Sequence, residues 1–218
     1  MKRNAHSHIV VVNHRGFSVI ELLVVVAIIF VLTAISLPYL SSHKSLYKSE
    51  DQSLRIMDLM SEAGQLAMTR RRTFRFEIDL TDNAAKIIDE RGSDPDELVK
   101  SIPLEPAFEV RMDAKPSGVA DPDPPGYNNA EFVVDNIGHE RNGTTVTGHT
   151  VWAARFRSDG SVVNAANIPT SANIYLWPPV TSGSDTARNL TEIRAITIFG
   201  GSGAVRYWKY SGSGFIGH

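Results

Sequence analysis

Arg15-Gly16-Phe17-Ser18-Val19-Ile20-Glu21 runs straight into Leu22-Leu23-Val24-Val25-Val26-Ala27-Ile28-Ile29-Phe30-Val31-Leu32. Between Phe17 and Leu37, Glu21 is the only side chain with a formal charge. A helix of that length extends about 30 Å at ~1.5 Å per residue, the thickness of a bilayer's hydrocarbon core. The stretch therefore predicts a membrane-spanning helix over 17–37 with one carboxylate close to its start. A charge inside such a segment costs about 2.5–3.5 kcal/mol on insertion scales, so a carboxylate kept there calls for a function.

The order of the parts narrows that function. Residues 1–16 form a leader with Lys2, Arg3 and Arg15 and no acidic residue. A secretory signal is cut behind small residues after its apolar region, which is then lost. Here the glycine comes before the apolar run, so a cut at that point would keep the helix. Gly-Phe-x-x-x-Glu behind a basic leader resembles the type III signal of type IV prepilins and pseudopilins. The resemblance implies that a prepilin peptidase/methyltransferase cuts between Gly16 and Phe17 and N-methylates Phe17. It implies other pilins or pseudopilins and an inner-membrane assembly platform as partners. It also implies that Glu21 engages the N-terminal amine of a neighbouring subunit during assembly.

Physical chemistry supplies a reason for that spacing. A free α-amine has a pKa of about 7.7–8.0 and is largely cationic at neutral pH. Four residues along a helix, a carboxylate lies on the same face, near the positive end of the dipole. The plainer alternative is a single-pass anchor with a stray glutamate. The basic flank predicts a cytoplasmic N-terminus and an exported remainder; the resemblance implies a single-pass protein of the bacterial inner membrane that later enters a filament.

The length of 218 residues suits one globular domain with an appendage. The absence of cysteine rules out disulfides, thiolate metal sites and cysteine nucleophiles. Many major pilins close a C-terminal loop with a disulfide, so within the resemblance its absence leans towards a pseudopilin. A formal net charge of −2 gives no overall basic character for nucleic acid. His6 and His8 in the leader are too few ligands for a metal site.

Beyond Leu37 the helix is expected to continue through a kink at Pro38, as far as Arg72. Leu46, Leu54, Met57, Met60, Ala63, Gly64, Ala67 and Met68 recur mostly at steps of three or four, the pattern of an amphipathic helix over 38–72 laid on a sheet. Arg70, Arg71, Arg72 and Arg75 form a basic cluster. Its ordinary reading is cations at a helix C-terminus; its sharper one is a phosphate-contacting patch. Glu77, Asp79 and Asp82 follow closely and weigh against nucleic acid.

Residues 73–218 read as a β-rich domain. Phe74–Leu80 alternates like a half-buried strand, with further strands at Ala85–Asp89, Phe108–Met112 and Glu131–Asp135. Residues 113–129 form a Pro-rich loop, whose Asp121 and Asp123 lack the spacing of a calcium cage. Val151–Val163 reads as strand, Ser158-Asp159-Gly160 turn and strand. Asn173–Trp177 follows, then Ile193–Phe199 and Ala204–Lys209 joined through Gly200-Gly201-Ser202-Gly203. That succession over Val151–Lys209 resembles the GspH/FimT type of minor pseudopilin, and by analogy implies a place at or near a filament tip.

Three patterns carry no function at this level. Gly212–Gly217 spells a dinucleotide fingerprint but no helix follows it, so it is expected to be a flexible tail. Asn142 and Asn189 fit a glycosylation acceptor without a eukaryotic secretory context. His139 and His149 are not at helical metal spacing.

The fold class expected is α+β. A long N-terminal helix, transmembrane in its first half and amphipathic in its second, packs on a C-terminal antiparallel β-sheet domain, as in pilins. The function expected is that of a structural minor subunit of a type II secretion pseudopilus or type IV pilus-like filament. Neither enzymatic activity, a cofactor nor a metal is expected. The alternative is a minor pilin at a pilus tip that binds DNA or a surface.

Overall fold

The computed structural model describes residues 18–92, 94–113, 115–123, 132–141 and 144–217, with the side chains of 37–46, 113, 136, 140 and 141 outside that description. The fold is α+β. A helix, α1 (Val19–Arg70), is followed by eleven strands among the described residues. The chain divides into two units, Met1–His43 and Lys44–His218, each considered by itself.

In the second unit α1 turns one face inward: Ile56, Leu59, Met60, Ala63 and Ala67 are 2 % exposed or less. Ser49, Gln52 and Ser53 extend the same stripe and are also buried. The stripe is rotated from the one the sequence suggested, since Leu54 is 37 % and Met68 51 % exposed. Polar residues at its upper end hid the periodicity. They are satisfied where they lie: Ser49 Oγ donates to the Glu192 carbonyl at 3.0 Å, and Gln52 Oε1 accepts the Glu105 N–H at 2.6 Å. Each large apolar side chain buried on this face contributes about 1.5–3 kcal/mol.

The helix ends in a left-handed cap. Arg71 has φ 52°, and the Arg72 N–H bonds the Ala67 carbonyl at 3.2 Å, closing the six-residue loop of a Schellman motif. The chain then enters β1 (Thr73–Asp79), β2 (Ala84–Glu90) and β3 (Glu97–Pro103). After β4 (Arg111–Asp113) come β5 (Val133–Arg141), β6 (Thr144–Phe156) and β7 (Val162–Val163). The rest are β8 (Ala172–Trp177), β9 (Arg194–Ile198), β10 (Val205–Tyr210) and β11 (Phe215–Gly217).

Two sheets result. One runs β1-β2-β3-β5-β6-β7, and because β6 also pairs with β1, five of its strands form a closed circuit. Its pairings are antiparallel except at the join of β3 to β5, a parallel contact at Glu97 and Glu140. The other sheet runs β11-β10-β9-β8-β4, all antiparallel. One core joins the α1 stripe to Phe74, Phe76 and Ile78 of β1, Phe156 of β6, and Ile174, Leu176, Ile196 and Ile198 of the second sheet. Tyr175, Trp177, Ala195 and Trp208 form a separate cluster with Val119 and Tyr210 on that sheet's other face.

Several sequence expectations are corrected. Phe108 is 58 % exposed and the Pro106 carbonyl accepts the N–H groups of Glu109 and Val110, so this stretch is a turn and the strand begins at Arg111. β3 and most of β5 were not anticipated, because their residues are largely polar. The tail is not flexible throughout: Phe215–Gly217 pairs with Trp208–Tyr210, and Phe215 packs on Tyr210 with ring centroids 5.0 Å apart. Between Lys115 and Asp123 the Pro-rich loop is partly folded in, with Val119 buried and Asp121 accepting the Tyr175 hydroxyl at 2.6 Å.

The Ser158-Asp159-Gly160 turn forms as expected, Asp159 Oδ1 accepting both the N–H and the hydroxyl of Ser161. It abuts the Gly200–Gly203 turn. A Cβ on Gly203 would lie 2.3 Å from the Gly160 carbonyl oxygen, and its φ of +64° also favours glycine.

Candidate functional site: the N-terminal segment and a buried charged face

In the first unit, Val19–Ser36 has a mean hydropathy of 2.9 and none of it is buried. It is long and apolar enough to cross a membrane. The Leu22 N–H bonds the Ser18 carbonyl at 3.1 Å, which starts the helix immediately after the motif. Glu21 lies in the first turn, where the helix dipole favours an anion. Its side chain is exposed and makes no ion pair among the described residues. The hydroxyls further along are satisfied within the helix: Thr33 Oγ1 donates to the Ile29 carbonyl at 2.5 Å and Ser36 Oγ to the Leu32 carbonyl at 2.8 Å. That removes most of their cost in an apolar medium and leaves Glu21 as the unsatisfied polar group of the segment. Gly16 and Phe17 lie outside the described residues. Pro38 falls within α1, its side chain outside the description.

The basic cluster separates into two. Arg70, Arg71 and Arg72 are exposed at the helix cap, with Arg70 over the Phe74 ring at 5.7 Å and Arg72 reaching Asp89 at 3.5 Å. Arg75 is 1 % exposed and unavailable to a phosphate, which corrects its inclusion in a surface patch. The reason is the closed strand circuit, which buries both faces of β1. Phe74, Phe76 and Ile78 enter the apolar core, while Arg75, Glu77 and Asp79 alternate with them and are buried as well.

Those charges are paired within the chain. Arg75 Nε donates to Glu77 at 2.6 Å, its Nη1 to Glu90 at 2.7 Å and Asp96 at 2.6 Å, and its Nη2 to the Gly138 carbonyl at 3.0 Å. Glu90 also accepts from Arg155 at 2.7 Å. Burial works against the Arg75 charge, but the surrounding carboxylates outweigh it and raise its pKa. Glu77 shares that guanidinium with two other acids, and burial holds its pKa above the usual carboxylate value.

A second group lies at the far end of β1. Lys86 Nζ donates to Asp79 Oδ2 at 2.7 Å and to Asp82 Oδ2 at 2.5 Å, and His149 Nδ1 is 2.6 Å from Asp79 Oδ2. Asp79 Oδ1 accepts the backbone N–H groups of Thr81 and Asp82, which fixes its carboxylate in the β1–β2 turn. Burial would raise the pKa of Asp79, but the bonds from Lys86, His149 and the Asp82 backbone hold it down to about 2. One ligand-type atom from each of Asp79, Asp82 and His149 lies within 4.8 Å of the others. Beside them opens a pocket of about 370 Å³ bordered by Asp82, Lys86, Ser101, Pro103, His139 and Val146. His139 is 6 % exposed, and burial followed by the charges of Lys86 and Arg75 lowers its pKa.

Sequence spacing missed this group because it sought histidines on a helix. His139 and His149 instead lie on the two arms of a β-hairpin, opposite Val146 and Ile137 respectively. Asn142-Gly143 between two alternating runs is a hairpin signal that points to it; the connection at 142–143 and Asn142 as a glycosylation acceptor lie outside the described residues. Asn189 has a structural task, its Oδ1 accepting the Thr191 N–H at 3.1 Å to start the 3-10 turn Leu190–Glu192.

Residues 12–37 match the model of the prokaryotic N-terminal methylation motif. Neither a curated protein nor a solved structure matches the chain. The match gives this chain a type IV pilin-like N-terminus, which implies processing by a prepilin peptidase and assembly with other pilins. With the uncovered apolar helix behind it, the segment fits a membrane anchor.

Proposed function

We propose that this chain is a structural, non-enzymatic minor subunit of a type II secretion pseudopilus or type IV pilus-like filament, of the GspH/FimT type. The observation that carries this reading is the Arg15–Glu21 motif set directly before an apolar helix with no protein covering it. The chain inserts with its basic leader in the cytoplasm and its β domain outside. The peptidase cuts after Gly16 and methylates Phe17. The helix then leaves the bilayer for a bundle of like helices, where Glu21 meets the amine of a neighbouring subunit. The Ser158-Asp159-Gly160 turn against the Gly200–Gly203 turn supports the subtype. The tip-binding alternative loses Arg75 and keeps only Arg70–Arg72, which already serve the helix cap.

Co-expression with a prepilin peptidase, followed by intact mass and N-terminal sequencing, tests this. The expected product begins at Phe17 and carries one methyl group on its amine. An uncut chain, or one that begins elsewhere, overturns the proposal.

A further inference from the structure

We propose that the β domain, where it surrounds residues 47–52 of α1, lies against the bilayer surface while the chain is membrane-anchored, as a contact additional to the apolar helix. The inference rests on reading Val19–Ser36 as the anchor. Two stretches are bonded to this part of α1: Lys48 Nζ pairs with Glu105 at 3.1 Å and with Glu109, Gln52 Oε1 accepts the Glu105 N–H, and Ser49 Oγ donates to the Glu192 carbonyl. Apolar side chains stand in water there. Tyr47 is 69 %, Phe108 58 % and Leu190 44 % exposed, and Tyr47 and Phe108 are the aromatic side chains of the second unit that are more than half exposed among the described residues. Leu80, also exposed, borders an apolar pocket of about 240 Å³ with Gln52, Leu104 and Val110, which extends the patch. Single exposed apolar residues are ordinary, but several gathered in one place mark a contact.

Continuity with the anchor says what covers it. Residues 37–46 separate Ser36 from Tyr47, about 15 Å of helix, and Leu37, Pro38, Tyr39 and Leu40 extend the apolar run into that interval. A headgroup layer is about 5–8 Å deep on each side of the hydrocarbon. The tether therefore keeps the patch close to lipid, at an effective concentration far above that of a free domain. Phe, Leu and Tyr are side chains that settle at the boundary of headgroups and acyl chains, Tyr with its hydroxyl towards water. The carboxylates nearby do not oppose the approach: Glu105 and Glu109 share Lys48, Glu50 is held by Lys209 and Arg194, and Asp185 by Arg111 at 2.8 Å.

The chain has no cysteine, so one fluorophore can be placed at will. Full-length Phe108→Cys, Leu190→Cys, Ser158→Cys and Val25→Cys variants are labelled and reconstituted in phosphatidylcholine–phosphatidylglycerol vesicles whose acyl chains are brominated near the headgroup. Ser158 is the control away from the patch, in the turn whose Gly160 neighbours Met68 near the C-terminus of α1, and Val25 reports the anchor. Bromolipid should quench the Phe108 and Leu190 labels about threefold more than the Ser158 label, as side chains at that depth require. Equal quenching at the three sites with Val25 quenched overturns the inference and leaves the anchor standing. An unquenched Val25 overturns the anchor reading and this inference with it. Shielding of the Phe108 label from aqueous iodide that grows with the protein-to-lipid ratio, without bromolipid quenching, gives the patch to a second copy and also overturns the proposal.

Discussion

Glu21 and Glu77 are the same side chain under opposite constraints. Glu21 stands on a wholly exposed apolar helix with no ion pair among the described residues, whereas Glu77 is 1 % exposed and lies 2.6 Å from a guanidinium of its own chain. A buried carboxylate must be paired or neutralised, because desolvation costs several kcal/mol. The β domain answers that demand internally, with Arg75 shared among Glu77, Glu90 and Asp96. On the proposed function, the N-terminal helix leaves it to another molecule. On that reading the contrast separates an assembly contact from a folding contact.

The comparison breaks most sharply at Glu21. Glu21→Val should still be cleaved and methylated, yet its recovery in sheared filaments, read by immunoblot, should fall at least tenfold. Recovery at the parent level would return Glu21 to the status of a stray charge in an anchor. Arg75→Met should do the reverse, leaving processing intact and destabilising the β domain by about 3–5 kcal/mol, because three carboxylates lose their common cation. Urea unfolding followed by Trp fluorescence measures it, and Arg75→Met with Glu77→Leu should recover part of the loss. A single-variant cost below about 1 kcal/mol would mean that water already screens this face.

The two regions also differ in how far the sequence discloses them. Everything about Gly16–Glu21 is local: residue order, spacing and the apolar run beyond. Three strands of the second sheet were legible for a similar reason, since Asn173–Trp177 and the Ile193–Lys209 hairpin are mostly apolar. The charged face of β1 was not. Arg75-Phe76-Glu77-Ile78-Asp79 alternates as a strand open to water on one side would, and only the return of β6 along β1 covers that side. The cover depends on pairing between residues some 80 positions apart, Phe74 with Phe156 among them, and no periodicity within either strand reports it. The helix stripe failed more mildly, because Ser49, Gln52 and Ser53 find polar partners inside and so need not be apolar.

Acid separates two carboxylates with opposite roles: Glu50, which ties α1 to the second sheet, and Glu192, whose buried Oε2 has no hydrogen-bond partner. Glu50 accepts from Lys209 at 2.5 Å and from Arg194 at 3.3 Å, and the Lys209 bond leads in lowering its pKa against the opposing effect of burial. Its stabilisation is present above the unfolded-state pKa near 4.5 and is lost as pH falls through the lower folded value. Burial raises Glu192, so its contribution has the other sign: present at low pH, and lost as pH rises from about 4.5 through the folded value. Thermal melts from pH 7 to pH 3 should show Glu50→Gln about 0.5–1 kcal/mol less stable at neutral pH with a shallower acid limb. Glu192→Gln should be no less stable than the parent at neutral pH and lose its relative advantage on acidification. Parallel pH profiles for the two variants would contradict the assignment.

The smallest effect lies where helix meets sheet, at Arg71. Its left-handed φ of 52° is one that an L-residue adopts at a cost of roughly 1 kcal/mol, and glycine adopts it freely. Glycine also loses more freedom on folding, which offsets part of that gain. The Arg71 side chain is exposed, whereas Arg70 on Phe74 and Arg72 on Asp89 have attachments to lose. Arg71→Gly should therefore stabilise the domain by about 0.5–1 kcal/mol, measured as a shift in urea midpoint at unchanged m-value. Destabilisation would show that the cation at the helix C-terminus outweighs the backbone strain. The basic run would then be kept for its charge, and the tip-binding alternative would regain its best evidence.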